Sequence, residues 1–586
     1  MMVGEWKSVL ALAVSAVLVV ACAQTPDSES AAPILAEVPA PSPPPPVGAM
    51  PMPTGMMDSM SRAQASRAPA ARLYLSAPGY NPETENRESY RETTPNPVKS
   101  VATDPVSTFS IDVDTASYAN VRRTLNAGNL PPRDAVRVEE LINYFDYDYA
   151  LPADRTTPFS TTVSVVPSPW ASGKQLVHIG LQGYDVAPSQ RPPLNLVLLL
   201  DTSGSMQGAN RLPLVKQAMR MLIDDLGARD RVSIVAYAGS AGVVLEPTPG
   251  VEKAKILGAL DQLSAGGSTA GGQGLALAYT LAERHFDRNG VNRIMIATDG
   301  DFNVGISNPA ELEGFVSRKR ESGVYLSVLG FGGGNYNDAL MQRLAQKGNG
   351  TAAYIDTLAE ARKVLHDQAQ SALLPIADDV KIQVEFNPTR VAEYRLIGYE
   401  TRMLNREDFN NDRVDAGEIG AGANVTAVYE ITPVGGRTLN DPLRYQPPRP
   451  QAAPSGEIAF LRIRWKPPGA SQSKLIERPI TARDMHASIA AAPESTRFAT
   501  AVAGYGQLLR GDPYLDRGYG YDQVIELAQG ARGADPFGWR AEFVQLARAA
   551  KAGRAAPDAT PPGRPEIAPR RPAPLHPPIM APQRKK

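Results

Sequence analysis

Between Pro192 and Gln370 the chain alternates regularly between two hydrophobic periods. Near-continuous apolar runs, "NLVLLL", "RVSIVAYA", "RIMIAT" and "VYLSVLGFG", are separated by stretches whose apolar residues recur at helical spacing. That spacing predicts helices over about Leu212–Leu226, Val251–Leu263, Gly272–Phe286, Glu311–Ser322 and Asp338–Lys347. Apolar strands alternating with amphipathic helices predict a mostly parallel sheet covered on both faces, a doubly wound α/β domain over residues 191–370. "AGVVLEP", directly after "RVSIVAYA", predicts one hairpin and an antiparallel edge strand. Sites in such a sheet lie beyond the carboxyl ends of its strands.

On either side the pattern changes. Residues 97–190 predict an α+β segment. It has a helix starting at Asp114–Thr115 and ending near Gly128, a second helix in "RVEELINYFDYDY", and alternating strands in "FSTTVSVVPSPW" and "QLVHIGLQGYDV". Residues 374–490 alternate in "DVKIQVEFNP", "VAEYRLIGY", "GANVTAVYEITP" and "GEIAFLRIRWKPP", which predicts a β-rich, sandwich-like domain. A small helical unit follows over 491–552. Residues 23–96, with "AEVPAPSPPPPVGAMPMPTGMMDSM", show no period and are expected to form a disordered linker. Such a linker reaches roughly 45–50 Å as a flexible coil and roughly 200 Å if fully extended. The basic, proline-rich residues 553–586 are expected to be a disordered tail.

The first 22 residues add a compartment. The apolar run Val9–Ala21 follows Lys7 and is shorter than the ~20 residues of a membrane-spanning helix, so it reads as a signal segment. It ends in Val19-Val20-Ala21-Cys22, which resembles the bacterial lipobox, whose cysteine receives lipid. The resemblance implies an exported protein, lipid-anchored at Cys22 and facing the periplasm or exterior. Ala23, in place of Asp, favours the outer membrane by the same resemblance.

Composition then narrows the function. A chain of 586 residues exceeds one core, and 43% hydrophobic with 21% charged residues suits globular domains. Lys+Arg 60 against Asp+Glu 61 leaves no basic excess, so no nucleic-acid partner is expected. The five histidines stand at spacings that fit no zinc site, and a single cysteine forms no intrachain disulfide. No G-x-S-x-G elbow, Walker loop, H-E-x-x-H or C-x-x-C is present.

What remains is a set of oxygens at one sheet edge. Asp201, Ser203 and Ser205 form D-x-S-x-S at the end of the first strand of the α/β domain, in "LNLVLLLDTSGSM". "SAGGSTAGGQG" places Thr269 just before a helix, and "RIMIATDGDFN" ends its strand at Asp299. Three hydroxyls and two carboxylates make a site for a hard cation such as Mg²⁺, which takes oxygen ligands at about 2.0–2.1 Å and keeps several waters. Neutral hydroxyl ligands leave such an ion electrophilic toward an anion from outside.

These five residues, in this order, resemble the metal-ion-dependent adhesion site of von Willebrand factor type A domains. The resemblance implies that Ser203, Ser205 and Thr269 ligate a divalent cation directly while Asp201 and Asp299 act directly or through water. The cation implied is Mg²⁺, with Mn²⁺ or Ca²⁺ as alternatives. A Glu or Asp of a protein partner would complete its coordination. The flanks "TFSIDVDTASYANVRRTLNAGNLPP" and "EDFNNDRVDAGEIGAGANVTAVYE" resemble exported bacterial lipoproteins that carry this domain between an N-terminal extension and a C-terminal domain of undefined function.

Two further acidic stretches are weaker. "DFNNDRVD" offers Asp408, Asn410, Asp412 and Asp415 at calcium-loop spacing, but has Arg413 and Ile419 where such a loop has Gly and Glu. An Asx-rich turn fits it better. Asp112 and Asp114 read as a strand end and a helix cap rather than a second metal site. Ser203 has no identifiable base, so a binding protein is expected rather than an enzyme. A structural or stress-signalling scaffold of the envelope is the alternative.

Overall fold

The computed structural model describes residues 88–111, 113–266, 271–300, 308–441, 443 and 456–555. The expectations for the signal segment with Cys22, most of the linker and the basic tail lie outside these residues, as do those for Asp112 and Thr269. Among the described residues no helix is long and apolar enough to cross a membrane.

The chain opens with β1 (Lys99–Ser100), β2 (Val106–Ser110), helices α1 (Ala116–Asn126) and α2 (Val138–Asn143), and the hairpin β3 (Phe159–Pro167) and β4 (Gln175–Gly183). The α/β domain follows. Its first half holds β5 (Leu194–Asp201), α3 (Leu212–Asp224), β6 (Arg231–Tyr237), β7 (Ala241–Pro249), α4 (Lys253–Asp261) and α5 (Gly271–Arg284). Its second half holds β8 (Val291–Thr298), α6 (Pro309–Arg320), β9 (Val324–Phe331), α7 (Asp338–Lys347), β10 (Ala352–Ile355), α8 (Leu358–Arg362) and α9 (Ala369–Leu373). Strand order is β10-β9-β8-β5-β6-β7, parallel except for β7, the predicted hairpin edge. All eight residues of β5 are buried because helices cover both faces of the central strands. Helix α3 turns Val215, Ala218, Met219, Leu222 and Ile223 to the core at helical spacing, with Pro213 in its first turn, where no N–H is needed. The strand β10, at the far edge, has no counterpart in the predicted elements.

After α9 come β11 (Pro375–Phe386), β12 (Val391–Ile397), β13 (Met403–Leu404), β14 (Gly417–Gly420), β15 (Asn424–Pro433), β16 (Glu457–Lys466) and β17 (Lys474–Thr481). These strands do not form a domain by themselves. One sheet runs β1-β12-β15-β4-β3 and the other β13-β2-β11-β16-β17, both antiparallel, with β14 added to β11. Strands from residues 97–190 and from residues 374–490 therefore share both sheets, and the α/β domain is an insertion between them. The two inner faces meet in one core, where the Phe386 ring lies 5.3 Å from Tyr429 and Phe109 lies 4.9 Å from Tyr399.

Helices α10 (Glu494–Arg510), α11 (Tyr521–Gly530) and α12 (Trp539–Ala555) pack with α1 and α2 over the outer face of the first sheet, against Leu176, Ile397 and Val428. Arg395 crosses from β12 to Asp512 (2.9 Å) and Gln507 (2.9 Å), and Trp170 Nε1 donates to Glu430 (2.6 Å). Buried pairs also key the α/β domain to α1 and α2. Arg137 grips Asp338 with both Nη atoms (2.6 and 3.1 Å), and Arg122 reaches Asp356 (3.0 Å) and Glu360 (2.9 Å).

Three local expectations change. The folded body begins before residue 97: Ser89 bridges Asn337, and Asn96 Nδ2 donates to the Leu396 and Gly398 carbonyls (3.1 and 2.7 Å). Helix α2 is only six residues, and Tyr147 Oη donates back to the Ile142 carbonyl near its end (2.7 Å). Asp114 does not cap α1; it accepts from Ala352 N (2.7 Å) and Arg402 (3.0 Å), while Glu140 serves the helix's free Ser117 N–H (2.8 Å).

Candidate metal centre

Strand β5 ends at Asp201 and its neighbour β8 ends at Thr298, one residue before Asp299; both aspartates are fully buried. The parallel register Leu200↔Ala297 and Asp201↔Tyr237 brings these strand ends to one rim. Asp201 is held on both oxygens: Oδ1 accepts from Ser203 N (2.9 Å), and Oδ2 accepts from Thr298 Oγ1 (3.2 Å) and Tyr237 Oη (3.3 Å). The turn after it carries Ser203 and Ser205, whose hydroxyl oxygens stand 3.0 Å apart. Gly266 N donates to the Thr202 carbonyl (2.8 Å), which brings in the next loop. Beyond it, α5 lies close on the sheet, where a Cβ at Gly274 would meet Tyr237 and Leu199 at 3.0 and 3.1 Å. Gly300, at φ +100°, lets the loop after β8 touch the backbone of Tyr336 and Asn337, where a Cβ would lie 2.6 Å from an atom.

The electrostatics follow from burial. Desolvation pushes the Asp201 carboxyl up to about 6, with Asp299 adding to the rise and the Ser203 bonds opposing it. Tyr237 is pushed well above its ordinary range by burial and by Asp201, so its hydroxyl stays a donor. Two buried carboxylates on adjacent strands call for a cation between them and solvent. The donor set fits a hard divalent ion, since Asp201, Asp299, Ser203 and Ser205 supply only oxygen. The 3.0 Å hydroxyl separation equals the edge of an octahedron with bonds of about 2.1 Å.

Arg211, the residue before α3, is a rim residue that the sequence pattern leaves overlooked. Its Nη1 bonds the Ser205 carbonyl and stands 3.6 Å from Asp299 Oδ2, while Nη2 donates to Gly333 O (2.8 Å) and Asn335 Oδ1 (3.3 Å). Thr298 and Tyr237 were overlooked as well. Only Thr298, adjacent to Asp299, carried a local signal.

The "DFNNDRVD" loop is not a cation cage, because its four side chains diverge. Asp408 folds back on Asn405 N (3.0 Å), Asn410 and Asp412 accept from Arg464 (both 3.3 Å), and Asp415 pairs with Arg320 (2.5 Å). The loop's carbonyls are taken by ammonium groups: Lys381 Nζ donates to Asp408 O and Asn411 O (3.2 and 2.6 Å), and Lys466 Nζ to Asp412 O (2.7 Å). Asn411 Oδ1 accepts from Arg413 N (3.0 Å), an Asx turn.

Residues 195–386 match the family described as von Willebrand factor type A domain, residues 84–178 that described as von Willebrand factor, and residues 371–552 that described as Uncharacterized protein YfbK, C-terminal. The chain is 46% identical over 499 residues to Uncharacterized protein YfbK of Escherichia coli (strain K12), with 84% of each chain covered. It is 35% identical over 172 residues to Uncharacterized protein sll0103 of Synechocystis sp., covering 29% of this chain and 40% of that one. A solved von Willebrand factor type A protein from Catenulispora acidiphila aligns at 16% identity over 67% of this chain and 90% of its own, with a TM-score of 0.38. Domains of the type A family commonly bind a divalent cation and mediate protein–protein interaction. With a type A domain set between YfbK-like flanks, the chain belongs to the YfbK family of von Willebrand factor type A domain proteins.

Proposed function

We propose that the protein is an envelope-anchored, metal-dependent binding protein and not an enzyme. Asp201, Ser203, Ser205, Thr269 and Asp299 hold a divalent cation, Mg²⁺ first and Mn²⁺ or Ca²⁺ as alternatives, and recruit an acidic side chain of a protein partner. Cys22 carries the lipid that keeps this site at the membrane, the outer membrane where there are two. The observation that carries the reading is the meeting of buried Asp201 and Asp299 with two serine hydroxyls 3.0 Å apart at one strand-end rim.

Bound there, the cation supplies an electrophilic position for a carboxylate. The chain's own residues supply the rest. Thr298 and Tyr237 fix the Asp201 carboxylate, the Ser203 N–H completes its turn, and the buried strand ends exclude water from the inner side of the site. The Ser203 hydroxyl stands 3.0 Å from Ser205 Oγ, another hydroxyl and not a base, which supports a ligand role over that of an activated nucleophile.

One experiment tests anchor and site together. Wild-type, Cys22→Ser and Asp201→Ala chains are expressed in the cells that make the protein, cross-linked with Mg²⁺ or chelator, and fractionated. The expected result is that Cys22→Ser leaves the membrane fraction, while Asp201→Ala stays there and loses its Mg²⁺-dependent cross-links. Cross-links indifferent to both chelator and Asp201→Ala would overturn the metal reading in favour of the scaffold.

A further inference from the structure

We infer that Arg211 is a resident cation of this site, which neutralises Asp299 when no metal is bound and thereby holds metal affinity down. The inference rests on the metal reading above and concerns its regulation.

The guanidinium sits where three strand ends meet. It bonds the Ser205 carbonyl after β5, stands 3.6 Å from the Asp299 carboxylate after β8, and donates to Gly333 O and Asn335 Oδ1 after β9. The β9 loop is shaped around this side chain. Gly332 has φ +73°, and a Cβ there would lie 2.6 Å from Arg211 Nε and 2.7 Å from its Cγ. The next glycine is crowded from elsewhere, since a Cβ at Gly333 would meet Arg123 Nη1 at 2.7 Å. Arg123 is itself fixed by Glu88 (2.8 Å), which accepts from Gly334 N (2.8 Å). The Arg211 guanidinium is therefore built into the rim.

That placement has a definite electrostatic consequence. A cation entering beside Asp299 meets a fixed positive charge and must share the carboxylate, so the site binds metal alone weakly. An anionic ligand meets the same charge as an attraction. Removing the charge while keeping a polar side chain should then strengthen metal binding, a gain that mere damage to the loops would not produce.

The test is calorimetric titration of Mn²⁺ into the full chain as wild type, Arg211→Gln, Arg211→Lys and Asp201→Ala, beside thermal unfolding in chelator and in saturating Mn²⁺. Arg211→Gln is expected to bind about tenfold tighter than wild type, from the loss of one unit charge near a divalent ion. It is also expected to melt earlier in chelator, with Mn²⁺ closing the gap. Arg211→Lys, which keeps the charge but not the fork, is expected to bind like wild type. Equal or weaker binding by Arg211→Gln, with wild type saturable and Asp201→Ala silent, would overturn the role of Arg211 and leave the metal site standing. Tightening by Arg211→Lys as large as that of Arg211→Gln would also overturn it, since geometry and not charge would be the cause. No saturable binding in any chain would overturn both readings.

Discussion

Asp201 is fully buried, and the proposed cation requires it ionised. In the metal-free protein burial raises its carboxyl to about 6, while the unfolded chain keeps it near ~3.9. The folded state then binds the proton more tightly, so this group's contribution to stability falls as pH rises from about 4 through 6. By pH 7 the loss is on the order of 2–3 kcal/mol. Buried His178, pushed down to about 3 by desolvation, has the opposite sign in an overlapping range, so the comparison must be made against Asp201→Asn. Urea unfolding in chelator at pH 4.5 and pH 7 is expected to show wild type losing stability relative to Asp201→Asn over that interval. Parallel behaviour of the two chains would contradict the account. Asp201, Ser203, Ser205 and Asp299 were legible in the sequence because a parallel sheet collects the ends of its apolar strands at one rim. Arg211 was not, since its partners are mainly backbone carbonyls of loops far apart in the chain, which leave no pattern.

At the scale of elements, the long buried strands β5, β6, β8 and β9 and helices α3 to α7 were legible from period alone. Short strands such as β10, β13 and β14 were not, because a few residues carry no period and depend on a neighbour for their ladder. The pairing across the insertion was equally hidden, for alternation marks a strand without naming its partner. Its consequence is physical: β2 lies between β13 and β11, and β4 between β15 and β3. Residues 371–552 alone would leave β11 and β15 with unpaired edges and remove Phe109, Ile179 and Leu181 from the core. That fragment is expected to show no cooperative thermal transition by circular dichroism, and co-expression with residues 88–190 is expected to restore one. A cooperative transition in the isolated fragment would contradict the shared sandwich.

For the molecule as a whole, the sandwich and its helical cover form a mount for the α/β domain. The two are locked by buried, doubly bonded pairs such as Arg137–Asp338. Breaking such a pair strands a buried charge, which gives the mount a single favoured arrangement. The rim loop after β9 is gripped from both sides, by Arg211 within the α/β domain and by Glu88 and Arg123 of the N-terminal segment. The central proposal is that the β5–β8 rim binds a divalent cation. Electron paramagnetic resonance of Mn²⁺ added to the full chain tests it most directly. Wild type is expected to lower the free-ion signal along a saturable curve that levels at one bound ion per chain, Mg²⁺ to return the signal, and Asp201→Ala to leave it untouched. A wild-type titration indistinguishable from that of Asp201→Ala would contradict the account.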